Sequence, residues 1–269
     1  MHAQSVRTNG HAQSVRTKGN ISSDYDLKFL NINVTLLTKS RLATIFDYAM
    51  ANNITIISVQ ETRHHCREVP WAQRMAADIG FACAFSDPSL RASGGTREGG
   101  AAVFWSRSLG KSSITRSADF PDSSVRVSFA DFAVNSVYGP VTKANPHWFN
   151  DCLPPQDDGL HKQEFVIGDF NWKPLYDQSM PDFMSMAPAL PTTIAGSAIT
   201  RLIFSNAADA EVSFLDARAL PDIPTHLAVT YGVKSDFLQR MTPRPLTRLR
   251  RCAQYSYTST DISTGDLNW

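Results

Sequence analysis

Between residues 27 and 60 the hydrophobic pattern changes period twice, which restricts the fold more than any other stretch. Residues 27–37 alternate as a strand does, with Asn31 and Asn33 on one face. From Ser40, which can cap a helix, Leu42, Ile45, Phe46 and Ala49 recur at helical spacing, and Asn52-Asn53 closes the run. Residues 54–59, Ile-Thr-Ile-Ile-Ser-Val, then read as a strand buried on both faces, the kind found in parallel sheets. Strand, helix and strand within roughly thirty residues make an α/β unit. Parallel strands of such sheets carry their functional groups at the C-terminal end, and this one delivers Gln60-Glu61-Thr62-Arg63 there. Glu61 is therefore a candidate metal ligand, although by itself it reads as readily as an exposed strand-end glutamate.

The rest of the body follows the same grammar. Residues 71–79 form an amphipathic helix stopped by Gly80, and 81–85 a short strand. A glycine-rich loop over 94–100 leads into an apolar strand at 101–105; it has no phosphate-cradling nucleotide motif. Strands at 125–129 and 132–138 lie close enough for an antiparallel pair, and the second ends at Tyr138-Gly139-Pro140. A tyrosine at that tip can offer its hydroxyl to a phosphate or simply sit satisfied on the rim. A short helix over 145–153 is expected before the stretch Glu164 to Trp172. There an apolar run, Phe165-Val166-Ile167, is expected to leave its sheet at Gly168. If the pitch continues, Asp169 and Asn171 face one way and Phe170 and Trp172 the other. A carboxylate to hold a hard cation or orient water, beside an amide that donates to a phosphate oxygen, suits phosphodiester chemistry. Gly-Asp-x-Asn alone reads equally as a capped turn. A proline-punctuated segment, Pro174 to Pro191, separates this stretch from strands at 200–205, 211–217 and 226–233, the last opened by His226.

With 42% apolar residues in 269, the chain can bury one core, and one domain of about 200 residues is expected, spanning 27–233. Residues 2–10 and 11–19 are near-copies of one polar nonamer, too short for a repeat fold, so 1–26 is read as a disordered tail. Residues 234–269 read as a linker or tail, with Arg244, Arg248, Arg250 and Arg251 among prolines and then a Ser/Thr-rich end. The net charge of +1 gives no whole-chain case for a polyanion partner, so any nucleic-acid surface must be local. Cys66, Cys83, Cys152 and Cys252 lack metal-site spacing, no apolar run is long enough to cross a membrane, and there is no signal-peptide core. The expectation is a soluble intracellular protein with reduced thiols.

Taken in order, Asn33, Gln60-Glu61-Thr62, Tyr138-Gly139-Pro140, Gly168-Asp169-Phe170-Asn171 and His226 resemble the endonuclease/exonuclease/phosphatase superfamily over residues 27–233. Within it the nearest likeness is to the apurinic/apyrimidinic-type endonuclease domains of non-LTR (LINE-like) retrotransposons. The resemblance implies a DNase I-like fold of the α/β (α+β) class. This is a four-layer sandwich in which two mixed β-sheets pack face to face between helices. It implies Mg²⁺ or Mn²⁺ held by Glu61 and Asp169, with Asn33 orienting the site and Asn31 the competing choice. Tyr138 and Asn171 would contact the scissile phosphate, Asp169 would position or deprotonate the attacking water, and His226 would stabilise the phosphorane. DNA would be the partner and hydrolase activity of the nuclease type the outcome, with the nucleus as the place of action for a functional retrotransposon nuclease; no membrane partner and a monomer are expected.

Two positions depart from the pattern. Pro224-Thr225-His226 has Thr225 where the superfamily carries Asp before its histidine, and Ile199-Thr200 has Thr200 where a histidine-orienting Asp is expected. Losing both carboxylates implies a slow enzyme or a non-catalytic remnant that binds nucleic acid or a partner. A phosphatase acting on a phosphorylated small molecule or lipid is the third reading the resemblance allows.

Overall fold

The computed structural model describes residues 25–87, 89–90, 97–116, 123–139, 163–171, 183–186, 192–193, 200–205, 210–223 and 225–235. The strand-helix-strand unit forms β1 (Leu27–Asn33), α1 (Lys39–Ala51) and β2 (Ile56–Gln60), with β1 and β2 parallel. Helix α2 (Pro70–Asp78) has proline in its first turn, where a missing N–H costs nothing, and the chain turns at Gly80 (φ 81°) into β3 (Phe81–Phe85). Then come β4 (Ser89–Leu90), β5 (Arg97–Glu98), β6 (Ala101–Ser106), β7 (Ser113–Arg116), β8 (Ser124–Ser128) and β9 (Phe132–Tyr138). The remaining strands are β10 (Gln163–Asp169), β11 (Phe183–Met186), β12 (Thr200–Ser205), β13 (Ala210–Arg218) and β14 (Ala228–Ser235).

These strands build two six-stranded sheets, ordered β13-β14-β1-β2-β6-β3 and β11-β12-β10-β9-β8-β7; β4 and β5 pair separately. Each is mixed, with one parallel pair at its centre: β1 with β2, and β9 with β10. Helices α1 and α2 cover the outer face of the first sheet, where Leu42, Ile45, Phe46 and Ala49 meet Leu30, Ile32, Ile57 and Val59. Between the sheets lies a second apolar cluster that includes Phe29, Ile56, Val134, Phe165 and Ile167. Phe29 reaches across to Phe165 with ring centroids 5.1 Å apart, and each fully buried ring of this size contributes about 1.5–3 kcal/mol. The helix expected over 145–153 and the tails expected at 1–26 and 234–269 fall outside the described residues or nearly so.

The inward-facing positions of the four central strands change character along their length. Leu27 and Phe29 give way to Asn31 and Asn33 on β1, and Ile56 to Ser58 and Gln60 on β2. Phe132 and Val134 give way to Ser136 and Tyr138 on β9, and Phe165 and Ile167 to Asp169 on β10. Six of these seven strand-end polar residues are buried, all but Tyr138, so their hydrogen bonds are made inside the protein. Asn31 Nδ2 donates to Gly168 O (3.0 Å), Gln60 Nε2 to Asn31 Oδ1 (2.8 Å), and the Ser58 and Ser136 hydroxyls pair at 2.7 Å. This polar layer joins the sheets just behind their common C-terminal edge.

Four local expectations are corrected. Strand β1 stops at Asn33 rather than 37, because Thr35 turns into the left-handed region (φ 60°) and donates its N–H to Asn33 Oδ1 (2.9 Å). The residue capping α1 is Thr38, whose hydroxyl accepts from Arg41 N (3.2 Å); Ser40 lies one residue too deep and donates instead to Asp222. Gly168 does not end its strand, since β10 continues through Asp169. A Cβ at Gly168 would sit 2.0 Å from Val137 O, so the glycine is needed for close approach of β9 rather than for a turn. Nor does strand pitch continue to Asn171, which is left-handed (φ 52°).

Candidate active site

Two parallel pairs, one in each sheet, end at the same edge of the sandwich. Asn33 and Gln60 terminate β1 and β2, Tyr138 and Asp169 terminate β9 and β10, and Glu61 follows β2 directly. The antiparallel neighbours start where these strands stop, so Thr200, the first residue of β12, stands opposite Asp169. His226 lies two residues before β14, in a bridge with Thr193.

At the centre is the amide of Asn33. Its Nδ2 donates to Glu61 Oε1 and to Asp169 Oδ2, both at 2.8 Å, and so draws together two carboxylates from different sheets. Glu61 Oε1 also accepts from the Tyr138 hydroxyl (3.2 Å), and Oε2 from Arg63 Nη2 (2.9 Å). Asp169 Oδ1 accepts from the backbone N–H of Asn171 (3.1 Å), while the Asn171 side chain donates to Gly139 O (2.7 Å). His226 Nδ1 lies 3.9 Å from Asp169 Oδ2; it is buried and finds no hydrogen-bond partner among the described residues. The structure thus brings Asn33, Glu61, Tyr138, Asp169, Asn171 and His226 into one cluster. Asn31 is not part of it, because it points to Gly168 and Gln60.

The charges respond to this crowding. Burial pushes the Glu61 carboxyl up, but the bonds from Asn33, Arg63 and Tyr138 and the Arg63 charge outweigh it and leave the group below its ordinary value. Asp169 is pushed up to about 6, by burial first and by the Glu61 charge as well, against the bonds from Asn33 and Asn171. Tyr138 is raised by burial and by both carboxylates, so its hydroxyl keeps its proton. Burial lowers His226 against the pull of Glu61, which favours the neutral ring.

Backbone strain gathers here too. Thr35, Glu61, Arg63, Asn171 and Asp222 all have φ between 52° and 64° on the loops at this edge. Left-handed non-glycine residues cost energy and persist where the surroundings hold them, which is common at functional sites.

The two carboxylates can hold a cation. Buried Asp169 and half-buried Glu61 share one neutral amide, burial and the Glu61 charge raise the Asp169 carboxyl, and Arg63 offsets only the outer oxygen of Glu61. This donor set fits a hard divalent ion that takes one or two carboxylates and completes its shell with water and substrate oxygens. Among the described residues no group of three or more His, Cys, Asp or Glu could hold a metal, so an all-protein cage is not formed there. The two departures are visible as well. The Thr225 hydroxyl pairs with that of Thr35 (3.0 Å) and supplies no charge. Thr200 stands opposite Asp169 in the sheet register, and His226 Nδ1 has no hydrogen-bond partner among the described residues.

Sequence reasoning placed Gln60 and Arg63 at the functional strand end without individual roles and passed over Thr35, although each contacts the cluster or its supporting layer. The available signal was a polar residue at an inward, period-two position of an otherwise apolar strand, as at Ser58, Gln60 and Ser136.

No protein-family model and no curated protein matches the chain. Solved structures do match. An AP endonuclease from Archaeoglobus fulgidus aligns with a TM-score of 0.56 at 17% identity, covering 78% of this chain and 99% of that one. A 3′ phosphatase from Neisseria, bound to a product DNA hairpin, aligns at 0.56 and 18% identity, covering 78% and 99%. The endonuclease domain of TRAS1, a telomere-specific non-LTR retrotransposon, aligns at 0.51 and 12% identity, covering 78% and 98%. Identities this low speak to architecture alone, and that architecture is the DNase I-like sandwich of the endonuclease/exonuclease/phosphatase proteins.

Proposed function

We propose that this chain hydrolyses phosphodiester bonds in DNA as a metal-dependent endonuclease, nicking one strand. The observation that carries the reading is the Asn33 amide bridging the carboxylates of Glu61 and Asp169, with Tyr138 and His226 at the same strand ends. Glu61 and Asp169 would hold Mg²⁺ or Mn²⁺, which when bound supplies Lewis-acid stabilisation of charge on the phosphate oxygens. Asp169 would position the attacking water or accept its proton. Tyr138, kept protonated by its raised pKa, donates to a non-bridging oxygen. Asn171 fixes Asp169 through its N–H and faces the same phosphate, and His226, neutral, donates to the charge that builds there. The DNA-bound phosphatase and the retrotransposon endonuclease among the structural neighbours support DNA as the substrate class.

A second reading, a non-catalytic remnant that binds nucleic acid through the same edge, is favoured by Thr225 paired with Thr35 and by His226 Nδ1, which has no hydrogen-bond partner among the described residues. Supercoiled plasmid incubated with Mg²⁺ or Mn²⁺ separates the two. Nicking that disappears in Glu61→Ala/Asp169→Ala supports the endonuclease. Nicking absent from the native chain but restored by Thr200→Asp/Thr225→Asp supports a remnant on an intact fold, and no nicking by either refutes the catalytic reading.

A further inference from the structure

Arg41 lies in the first turn of α1, outside the cluster just described. Its Nη1 donates to Val34 O (2.7 Å) and Leu36 O (2.8 Å), and its Nε to Asp222 O (2.8 Å). Val34 to Leu36 follow Asn33 immediately; Asp222 lies on the loop that leads through Thr225 to His226. Neither segment belongs to a sheet, since β1 ends at Asn33 and β14 begins at Ala228. Both contain a left-handed non-glycine residue, Thr35 (φ 60°) and Asp222 (φ 64°), a conformation the surroundings must hold in place. Two further bonds run between them and α1: Ser40 Oγ to Asp222 Oδ2 (3.0 Å) and the Thr35–Thr225 hydroxyl pair (3.0 Å).

We propose that Arg41 is a positioning residue that sets His226 in register with Asn33. Its guanidinium is fitted to this, because a planar fork can hold carbonyls of two loops at fixed angles, where an ammonium would act as a single point charge. Bonds from a charged donor are also stronger than those between neutral groups. The inference rests on the reading above, in which His226 acts at the reacting phosphate.

The test uses Arg41→Met, which keeps the apolar stem and removes the donors, and Arg41→Lys as the conservative replacement. In plasmid nicking, Arg41→Met is expected to lower kcat about 10–100-fold, with KM changed less than about threefold and Arg41→Lys recovering part of the loss. In a His226→Ala background, Arg41→Met is expected to cost less than about twofold more, because the two act through one group. No loss in the native background, or equal losses in both, overturns the proposal. Amide hydrogen exchange tests it without turnover: residues 34–37, 222–223 and 225–227 should exchange about tenfold faster in Arg41→Met, while β1 and β2 keep their protection. Unchanged exchange in the two loops, or faster exchange throughout the chain, overturns the proposal. A native chain that fails to nick defeats the endonuclease reading, and the exchange result still decides the role of Arg41.

Discussion

Replacing Asp169 by asparagine should stabilise the metal-free protein while removing any activity. The Asp169 side chain is 1% exposed and its carboxyl is pushed up to about 6 from 3.8. A folded-state pKa above the unfolded one means the native protein holds the proton more tightly. The ionised group therefore costs stability above pH 6, and the cost fades as pH falls towards 4. A shift of this size corresponds to about 3 kcal/mol at pH 8. Asparagine removes that charge but places an amide N–H₂ against the donors Asn33 Nδ2 or Asn171 N, which returns about 1–2 kcal/mol. The net gain of about 1–2 kcal/mol should appear as a Tm about 3–6 °C higher in EDTA at pH 8. At pH 4, where the native carboxyl is mostly protonated, the advantage should vanish or reverse. Thermal melts at both pH values, with and without Mg²⁺, check the sequence of signs; Mg²⁺ should raise the native Tm and leave the variant unmoved. A Tm difference between variant and native protein that is the same at pH 4 and pH 8 would refute the argument, because the effect then owes nothing to the buried charge.

Gly168→Ala should separate β9 from β10, because the new Cβ would meet the backbone of Val137 at 2.0 Å and backbone cannot yield as a side chain can. A loss of about 1–3 kcal/mol or more is expected, read as a lower denaturant midpoint, and a midpoint equal to the native one would show that the strands do not approach so closely. On the other face of the second sheet, Glu164 accepts from Arg126 Nε (3.2 Å) and Nη2 (2.8 Å) and from Asn135, with both charged side chains under a tenth exposed. Glu164→Gln should cost about 3–5 kcal/mol by stranding the buried guanidinium, and Arg126→Met/Glu164→Met should cost less than that single change. Urea melts compare the two, and a double variant less stable than the single one would reverse the account.

Much of the fold follows from the sequence alone. The period change over 27–60 gives β1, α1 and β2, and the run Phe165-Val166-Ile167 gives the core of β10, because hydrophobic burial is repetitive and leaves its period in the chain. The two sheets could be inferred only through resemblance, since alternation tells which face of a strand is buried and not which strand lies beside it. The candidate site was legible as a set of residues near strand ends: Asn33, Glu61, Tyr138 and the Asp169/Asn171 pair lie where a strand stops, and His226 lies just before the last one. Their relation was not. Asn31 and Asn33 share one face of β1 and are alike in sequence terms; it is the depth at which β10 docks that gives Asn31 to Gly168 O and Asn33 to both carboxylates. Gly168 read as a strand stop because glycine usually permits a turn, whereas here it permits contact with β9. Local sequence determined the elements because their causes act within a few residues. Only the tertiary structure decided which amide bridges two acids and which arginine ties two loops, because in each the second contact joins residues more than a hundred positions apart.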